Sequence, residues 1–192
     1  YFTEAMDINN IHQADLVGPR YIKNDGKFYS FNLMDVYSHQ VFIESQRTKQ
    51  DEQIACSLLR CWKVLGLPDF LQLDNQLCFR GSNRYPRSPG LVSRLCLFFG
   101  VTPVFIPIAE PWRNGNIEKF NDTYNKKFFR QQWFGSYATL KRQSKNFQRF
   151  HNKHHRYSCL KGKTPLEVIK NLGDKAQRLG GNTKLPQLDE IP

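Results

Sequence analysis

Three acidic residues lie where the fold could bring their side chains together around a cation. Asp15 falls within a predicted strand, Asp74 ends another, and Glu118 opens a predicted helix, at separations of 59 and 44 positions. Carboxylates gathered at one place repel each other and raise one another's pKa, and bound cations relieve that repulsion. A ligand set of oxygen atoms favours Mg²⁺ or Mn²⁺. Two such ions roughly 3.5–4 Å apart can promote an in-line displacement at phosphorus.

Each acid also has an ordinary explanation that the residues alone leave open. Asp15 and Asp74 could cap strand ends or be solvated there. Glu118 could be a surface carboxylate, since the positive end of a helix dipole favours an anion in the first turn. Convergence of the three therefore depends on the fold.

The composition indicates one basic domain. The chain has 192 residues and a formal net charge of +11, with a pI near 9.6, so we expect an acidic polymer as partner, nucleic acid before membrane. Five cysteines without a CxxC pair favour free thiols in a reducing cytoplasm. No apolar run reaches transmembrane length, and no signal peptide is evident. Because the first residue is Tyr rather than Met, we expect a piece of a longer protein.

The first third of the chain predicts strands joined by tight turns, which pair antiparallel. Gly18-Pro19 is expected to stop the first strand, and Asn24-Asp25-Gly26 is a strong hairpin turn. Asp35 is assigned to a turn rather than to the acidic site. The strands are expected at 13–19, near 20–23, at 27–36 and at 40–45.

The remainder alternates helices with strands, as crossover-connected parallel strands do. Ile117, Phe120 and Tyr124 recur at helical spacing and predict a core-facing stripe beside Glu118. Thr164-Pro165 predicts a capped helix start. Strands are expected at 69–74 and 101–106. Helices are expected at 49–65, at 91–99, from 115 through about 133, at 137–151 and after Thr164. The apolar positions of the 137–151 helix are Leu140, Phe147 and Phe150.

This order predicts an α/β fold with a mixed five-stranded sheet, three antiparallel strands followed by parallel ones, and helices on both faces. The predicted divisions are a lead-in at 1–10, a core at 11–170 and a polar tail at 171–192. A polar loop is expected at 80–89.

Several short blocks, in this order along the chain, carry a family likeness. Residues 13–19 resemble a first-strand block, 35–39 a D-x-x-S-R turn, and 73–76 with Phe79 a D-N-G-x-x-F block. Residues 111–121 match P-x-x-N-G-x-x-E-x-x-N closely, and Asn152, Ser158, Leu160 and Thr164-Pro165 resemble a closing block. Over roughly residues 11–170 the chain resembles the catalytic core of retroviral-type integrases, most closely the bacterial insertion-sequence transposases.

The resemblance implies an RNase H-like fold and a DDE transposase or integrase that nicks DNA 3′ ends and transfers strands. It implies Asp15, Asp74 and Glu118 as catalytic residues and ligands of two Mg²⁺ or Mn²⁺ ions. The implied partners are transposon-end DNA and target DNA, and the protein is expected to act as at least a homodimer. The expected location is the bacterial cytoplasm, at the nucleoid, with no membrane involved. Asn121 is expected to help position DNA. DNA contacts are assigned to Asn75, Asn114, Lys119, Asn121, Lys126, Lys127 and Arg130.

The chain departs from the family pattern after two of the acids. Gln76 stands where the family has Gly, and the gap between Asp74 and Glu118 is longer than in retroviral integrases, with the extra residues in the 80–89 loop. Asp122 and Asn125 occupy the positions of two retroviral lysines, so DNA contacts are expected from other cations.

Two other functions remain as alternatives. One is a metal-dependent nuclease of the same fold that acts on RNA–DNA hybrids or structured DNA, and the other is a non-catalytic DNA-binding domain. The intact acidic trio argues against the second, and the 111–121 and closing blocks favour strand transfer over the first. His151, His154 and His155 are interpreted as a solvated face or phosphate contacts rather than a metal cluster.

Overall fold

The computed structural model describes residues 4–81, 88–107 and 110–172. A five-stranded sheet runs through them in the order β3-β2-β1-β4-β5. Its first three strands pair antiparallel, whereas β4 lies parallel to β1 and β5 parallel to β4. The strands are β1 (Ile11–Ile22), β2 (Gly26–Asp35), β3 (Val41–Gln46), β4 (Phe70–Leu73) and β5 (Thr102–Phe105). The mixed five-stranded sheet predicted from the sequence is confirmed.

Helices cover both faces of this sheet. One core includes residues of α1 and α3, and a second core includes residues of α4 and α5. The helices are α1 (Asp51–Leu65), α2 (Leu77–Arg80), α3 (Leu91–Phe98), α4 (Gly115–Lys127), α5 (Tyr137–His154) and α6 (Pro165–Leu172), with 3-10 turns at Pro111–Asn114 and Phe129–Gln131. The predicted arrangement of helices on both faces is therefore confirmed.

The alternation of side chains along β2 decides what each core contains. Phe31 and Leu33 enter the core beneath α1 and α3. Asn32, between them, points to the opposite face and hydrogen-bonds to Asn121 of α4. Because successive strand residues face opposite sides, the α4 face receives polar groups from the middle of the sheet.

The predicted stop at Gly18-Pro19 is wrong, because β1 continues through it as a bulge. The pairing of β1 with β2 shifts register between Val17 and Arg20. As a result Leu16 faces α1 and α3, whereas Ile22 faces α4 and α5, as expected when one extra residue switches the faces of a strand. Gly18 has a φ of +140°, and a Cβ there would lie 3.0 Å from Cδ1 of Tyr29.

Two helix predictions on the α4 and α5 face are also corrected. The helix that opens at Gly115 ends at Lys127 rather than near 133, because Phe128 leaves helical geometry and packs on Phe134, with ring centroids 5.3 Å apart. Both rings are buried in the same core. Phe150, expected to be an apolar core position of α5, is 62% exposed.

Side chains of α5 complete the edge strand β3. Asn152 pairs with both backbone groups of Val41, accepting from its N–H and donating to its carbonyl oxygen at 2.9 Å each. Gln148 accepts from the N–H of Ile43 at 2.9 Å, and Lys145 donates to the Ile43 carbonyl oxygen at 2.6 Å. The backbone groups of β3 at these two residues are thereby satisfied.

The predicted helix start at Thr164-Pro165 is found in α6. Thr164 Oγ1 accepts from the N–H of Glu167, and the Glu167 carboxylate accepts from the N–H of Thr164 at 2.9 Å, which is a capping box. Residues 171 and 172 belong to this helix rather than to the predicted tail, and Arg80 ends α2 rather than opening a loop. Within the expected loop at 80–89 and tail at 171–192, residues 82–87 and 173–192 lie outside the described residues.

Two further observations concern the composition. All five cysteines are free. Within the ranges that the structure covers, no helix has the length and apolar character needed to cross a membrane.

Candidate active site

A polar chain on the α4 face of the sheet holds Asp15. Oδ2 of Asp15 accepts a hydrogen bond of 2.6 Å from the side-chain amide of Asn121, one turn after Glu118 in α4. The Asn121 oxygen in turn accepts from Asn32 at 2.7 Å, and Ser30 donates to Asn32 at 2.7 Å. Because each amide is oriented by the next, the carboxylate of Asp15 is held in one direction.

Asp74 follows β4, the parallel neighbour of β1. Gln13 pairs with Gln72 in the last register position of the two strands, and Asp15 and Asp74 each come two residues later. Because both acids come two residues after a directly paired position of two parallel strands, they are neighbours. Glu118 approaches them from the first turn of α4.

The electrostatics of Asp15 reflect both neighbouring acids. Burial, then the negative charge of Asp74 and that of Glu118, raise the pKa of Asp15 to about 6. Hydrogen bonds from the Leu16 backbone and the Asn121 side chain lower that pKa by less. Asp74 and Glu118 are therefore each within electrostatic range of Asp15, and a bound cation would relieve that repulsion.

The donor set fits a divalent metal ion in its chemistry. Asp15, Asp74 and Glu118 offer carboxylate oxygens, the ligands that Mg²⁺ and Mn²⁺ prefer. Across the described ranges, no three His, Cys, Asp or Glu side chains already lie close enough to surround one ion. Both carboxylate oxygens of Asp74 accept hydrogen bonds from Gln76. An ion bound at Asp74 would therefore compete with Gln76 for these oxygens.

Two glutamines that sequence reasoning missed hold the start of α4 against the sheet. The amides of Gln13 and Gln72 both donate to the carbonyl oxygen of Arg113, at 2.8 and 2.9 Å. The Gln13 oxygen also accepts from the N–H of Ile117 at 3.1 Å. These contacts fix the turn that carries Glu118. The available signal was the same Gln-x-Asp pattern near the start of β1 and at the end of β4.

We expect Gln13→Leu to loosen the first turn of α4 more than Gln72→Leu does. Gln13 makes two of the three bonds, and a buried group left without its partner costs about 1–3 kcal/mol. Gln13→Leu should therefore lower the free energy of unfolding by about 2 kcal/mol and Gln72→Leu by about 1 kcal/mol. Urea unfolding measures the stability, and hydrogen exchange at the Ile117 amide measures the local opening. Unchanged exchange at Ile117 in the Gln13 variant would refute this positioning role.

The predicted DNA-contacting residues divide into buried or half-buried amides and exposed cations. The side chain of Asn75 donates to the Ile106 carbonyl oxygen, and Asn114 is buried. Asn121 belongs to the polar chain at Asp15. Lys126 pairs with Asp122 at 2.7 Å on the surface of α4. The exposed cations are Lys119, Lys126, Lys127 and Arg130.

A cleft with several cationic side chains begins at the first turn of α4. It has a volume of about 810 Å³. Lys119, Lys161 and Lys163 line it, and we call it the basic cleft. In the sequence, the two lysines on either side of Gly162 could have indicated this cleft, but that segment was used only to predict the helix start at Thr164.

The interpretation of His151 as part of a solvated face is wrong. His151 is 2% exposed, its ring contacts His155 at 4.7 Å between centroids, and Nε2 lies 2.9 Å from the Tyr157 hydroxyl. Burial, followed by the charges of His155 and His39, lowers the pKa of His151 to about 3. The side chain is therefore neutral near pH 7 and supports packing rather than phosphate binding. Asp35 has the predicted turn role, accepting from the backbone of Asn9 and of Ser38.

Part of the chain matches a known protein family in sequence. Residues 99–165, which include Glu118 but neither Asp15 nor Asp74, match the family model of an integrase core domain. No curated protein matches the chain in sequence.

Solved structures match over most of the chain. The catalytic core domain of HTLV-2 integrase, in complex with magnesium, aligns with a TM-score of 0.62 at 16% identity, covering 86% of this chain and 99% of that one. The BIV integrase catalytic core aligns at 0.63 and 17% identity, covering 88% and 99%. A chain of the simian T-cell lymphotropic virus intasome in complex with PP2A regulatory subunit B56 gamma aligns at 0.68 and 16%, covering 96% and 62%. The chain therefore has the RNase H-like fold of integrase catalytic cores, and its residues 99–165 carry the sequence pattern of an integrase core domain.

Proposed function

We propose that this chain is the catalytic core of a DDE DNA strand transferase of the insertion-sequence transposase type. The observation that carries the proposal is the hydrogen bond from Asn121 of α4 to Asp15 of β1, which brings the helix of Glu118 to Asp15, while Asp74 follows the neighbouring parallel strand. Residues from β1, the end of β4 and the start of α4 thus act on one another across long separations. The match of residues 99–165 to an integrase core domain supports the same reaction class.

Asp15, Asp74 and Glu118 are the residues proposed to hold two Mg²⁺ or Mn²⁺ ions. When bound, such ions lower the pKa of an attacking water or hydroxyl and stabilise the leaving oxygen. Asn121 keeps Asp15 directed at the site, while Gln13 and Gln72 keep the turn of Glu118 in place. The fold thereby holds Asp15 and the turn of Glu118 in place, which limits the reorganisation needed during reaction.

Two displacements at phosphorus make up the proposed reaction. In the first, the oxygen of water bonds to a phosphorus at the element end and the P–O3′ bond breaks, which leaves a 3′-hydroxyl. In the second, that 3′-hydroxyl bonds to a phosphorus of the target strand and a target P–O3′ bond breaks. The number of phosphodiester bonds is conserved in the second step, so it needs no external energy source.

The DNA partner is proposed from charge. The formal net charge of +11 favours a polyanion. Exposed Lys119, Lys126, Lys127 and Arg130 lie on or just after α4, and the basic cleft adjoins the first of them. Two element ends must be joined to one target, and we propose that at least two copies of the chain act together, as in the dimeric and trimeric forms described for HTLV-2 integrase.

We expect the double change Lys161→Glu and Lys163→Glu to weaken DNA binding at least about tenfold near 0.1 M salt. Each lost phosphate contact reduces the slope of log K against log salt by about 0.9, so the slope should fall by roughly 2. Fluorescence anisotropy with duplex DNA across a salt series measures both quantities. Lys23→Glu is the matched control, because Lys23 is exposed beside the β1–β2 turn and does not line the cleft. An equal slope change in the control would refute a specific role for the basic cleft.

The function itself is tested with the full-length protein, Mg²⁺ and labelled duplexes taken from the flanks of its own gene. The expected result is nicking at one 3′ end followed by covalent joining of that end to an unlabelled target plasmid. Cleavage of an RNA–DNA hybrid without joining would favour the nuclease alternative. Binding of DNA without either reaction would favour the non-catalytic alternative.

A further inference from the structure

The carboxylate of Asp74 is already occupied by the residue two positions later. The backbone N–H of Gln76 donates to Oδ1 at 2.9 Å, and the side-chain amide of Gln76 donates to Oδ2 at 2.7 Å. A carboxylate that coordinates a cation uses the same oxygen lone pairs. The side-chain bond of Gln76 and a metal contact through Oδ2 therefore compete.

The backbone of this turn is anchored, whereas the Gln76 side chain is held, apart from its bond to Asp74, only by a weak hydrogen bond of 3.7 Å from the Cys78 thiol. The Asn75 side chain donates to the Ile106 carbonyl oxygen at the end of β5. The Gln76 carbonyl oxygen accepts from the N–H groups of Phe79 and Arg80, and Phe79 is fully buried. Gln76 itself is exposed. Rotation of its side chain alone would release Oδ2 without moving α2.

We propose that Gln76 is a positioning residue that holds Asp74 in a metal-free arrangement and releases it when a divalent cation binds. This inference rests on the proposed metal site at Asp74. The backbone bond to Oδ1 stays in both arrangements and keeps the carboxylate near the site. The side-chain bond to Oδ2 belongs to the metal-free arrangement only. When only a fraction of the protein molecules is in the arrangement that can bind the metal ion, the apparent affinity for that ion falls in proportion to this fraction.

The proposal predicts that removing the amide strengthens metal binding. Gln76→Met keeps the length of the side chain and the backbone bond to Oδ1 but removes the donor to Oδ2. Because the lost bond is charge-assisted yet exposed, we expect about five- to tenfold tighter Mn²⁺ binding. The melting temperature should change by no more than about one degree, because surface substitutions are usually near neutral.

Isothermal titration calorimetry of the full-length protein with Mn²⁺ tests this expectation, with three variants beside the wild type. Gln132→Met is the matched control, because Gln132 is exposed outside the acidic site, and it should bind as the wild type does. Asp74→Asn should lose binding. If Asp74→Asn loses binding while Gln76→Met binds as the wild type or more weakly, the role of Gln76 is refuted and the proposed metal site stands. Wild-type affinity in Asp74→Asn would overturn the metal site, and the role of Gln76 with it.

Discussion

Asp74→Asn and Glu118→Gln are each expected to reduce strand transfer by at least about a thousandfold. A metal ion that stabilises transition-state charge contributes several kcal/mol, and about 4 kcal/mol corresponds to three powers of ten in rate. The amide side chains keep the size of the acids but lack the charge that binds a divalent ion. Joined products from labelled element ends, counted over time with Mg²⁺, measure the loss.

The control for these two variants lies on the same helix. Asp122→Asn removes an exposed carboxylate one turn after Glu118 whose ion pair with Lys126 lies on the surface, and surface pairs contribute little. Its activity should stay within about twofold of the wild type. Retained joining in Asp74→Asn or Glu118→Gln would remove both acids from the catalytic assignment.

Asp15→Asn is expected to stabilise the metal-free protein above pH 6 while abolishing activity. The folded state raises the pKa of Asp15 from 3.8 to about 6, so the folded chain binds a proton that the unfolded chain has already released. Stability from this group is therefore complete below about pH 4 and is lost as the pH rises through about 6. The amide does not titrate, and the variant should be more stable than the wild type by about 2–3 kcal/mol at pH 7.5.

Urea unfolding in EDTA at a series of pH values between 4 and 8 measures this difference. The difference in the free energy of unfolding between the wild type and Asp15→Asn should grow from pH 4 to 6 and then stay constant. Other buried groups titrate in both proteins, so their contributions cancel in the comparison. Added Mg²⁺ should narrow the gap by stabilising the wild type alone. A constant gap across the whole range would mean that Asp15 has an ordinary pKa.

Most of the element order could be predicted because it follows from local periodicity and turn residues. Gly66 ends α1, and the Ile117, Phe120 and Tyr124 stripe is buried. The errors come from tertiary context. Gly18-Pro19 breaks a regular strand in isolation, yet continued pairing with β2 turns it into a bulge.

The acidic trio could be chosen from sequence, but the contacts around it could not. Family blocks and strand-end positions singled out Asp15, whereas its bond to Asn121 depends on which strand face meets α4. Gln13 and Gln72 are polar residues in largely buried strands, which is a usable signal, but their shared partner at Arg113 is visible only in three dimensions.

The side chains of α5 that hydrogen-bond to the backbone of Val41 and Ile43 affect how copies of the chain can associate. Proteins extend one another's sheets only where an outer strand still offers backbone donors and acceptors. At β3 those groups are already used by Lys145, Gln148 and Asn152. Two copies therefore cannot join their sheets at Val41 and Ile43 unless α5 first moves away, which leaves the opposite edge strand, β5, and the side-chain surfaces for contacts between copies.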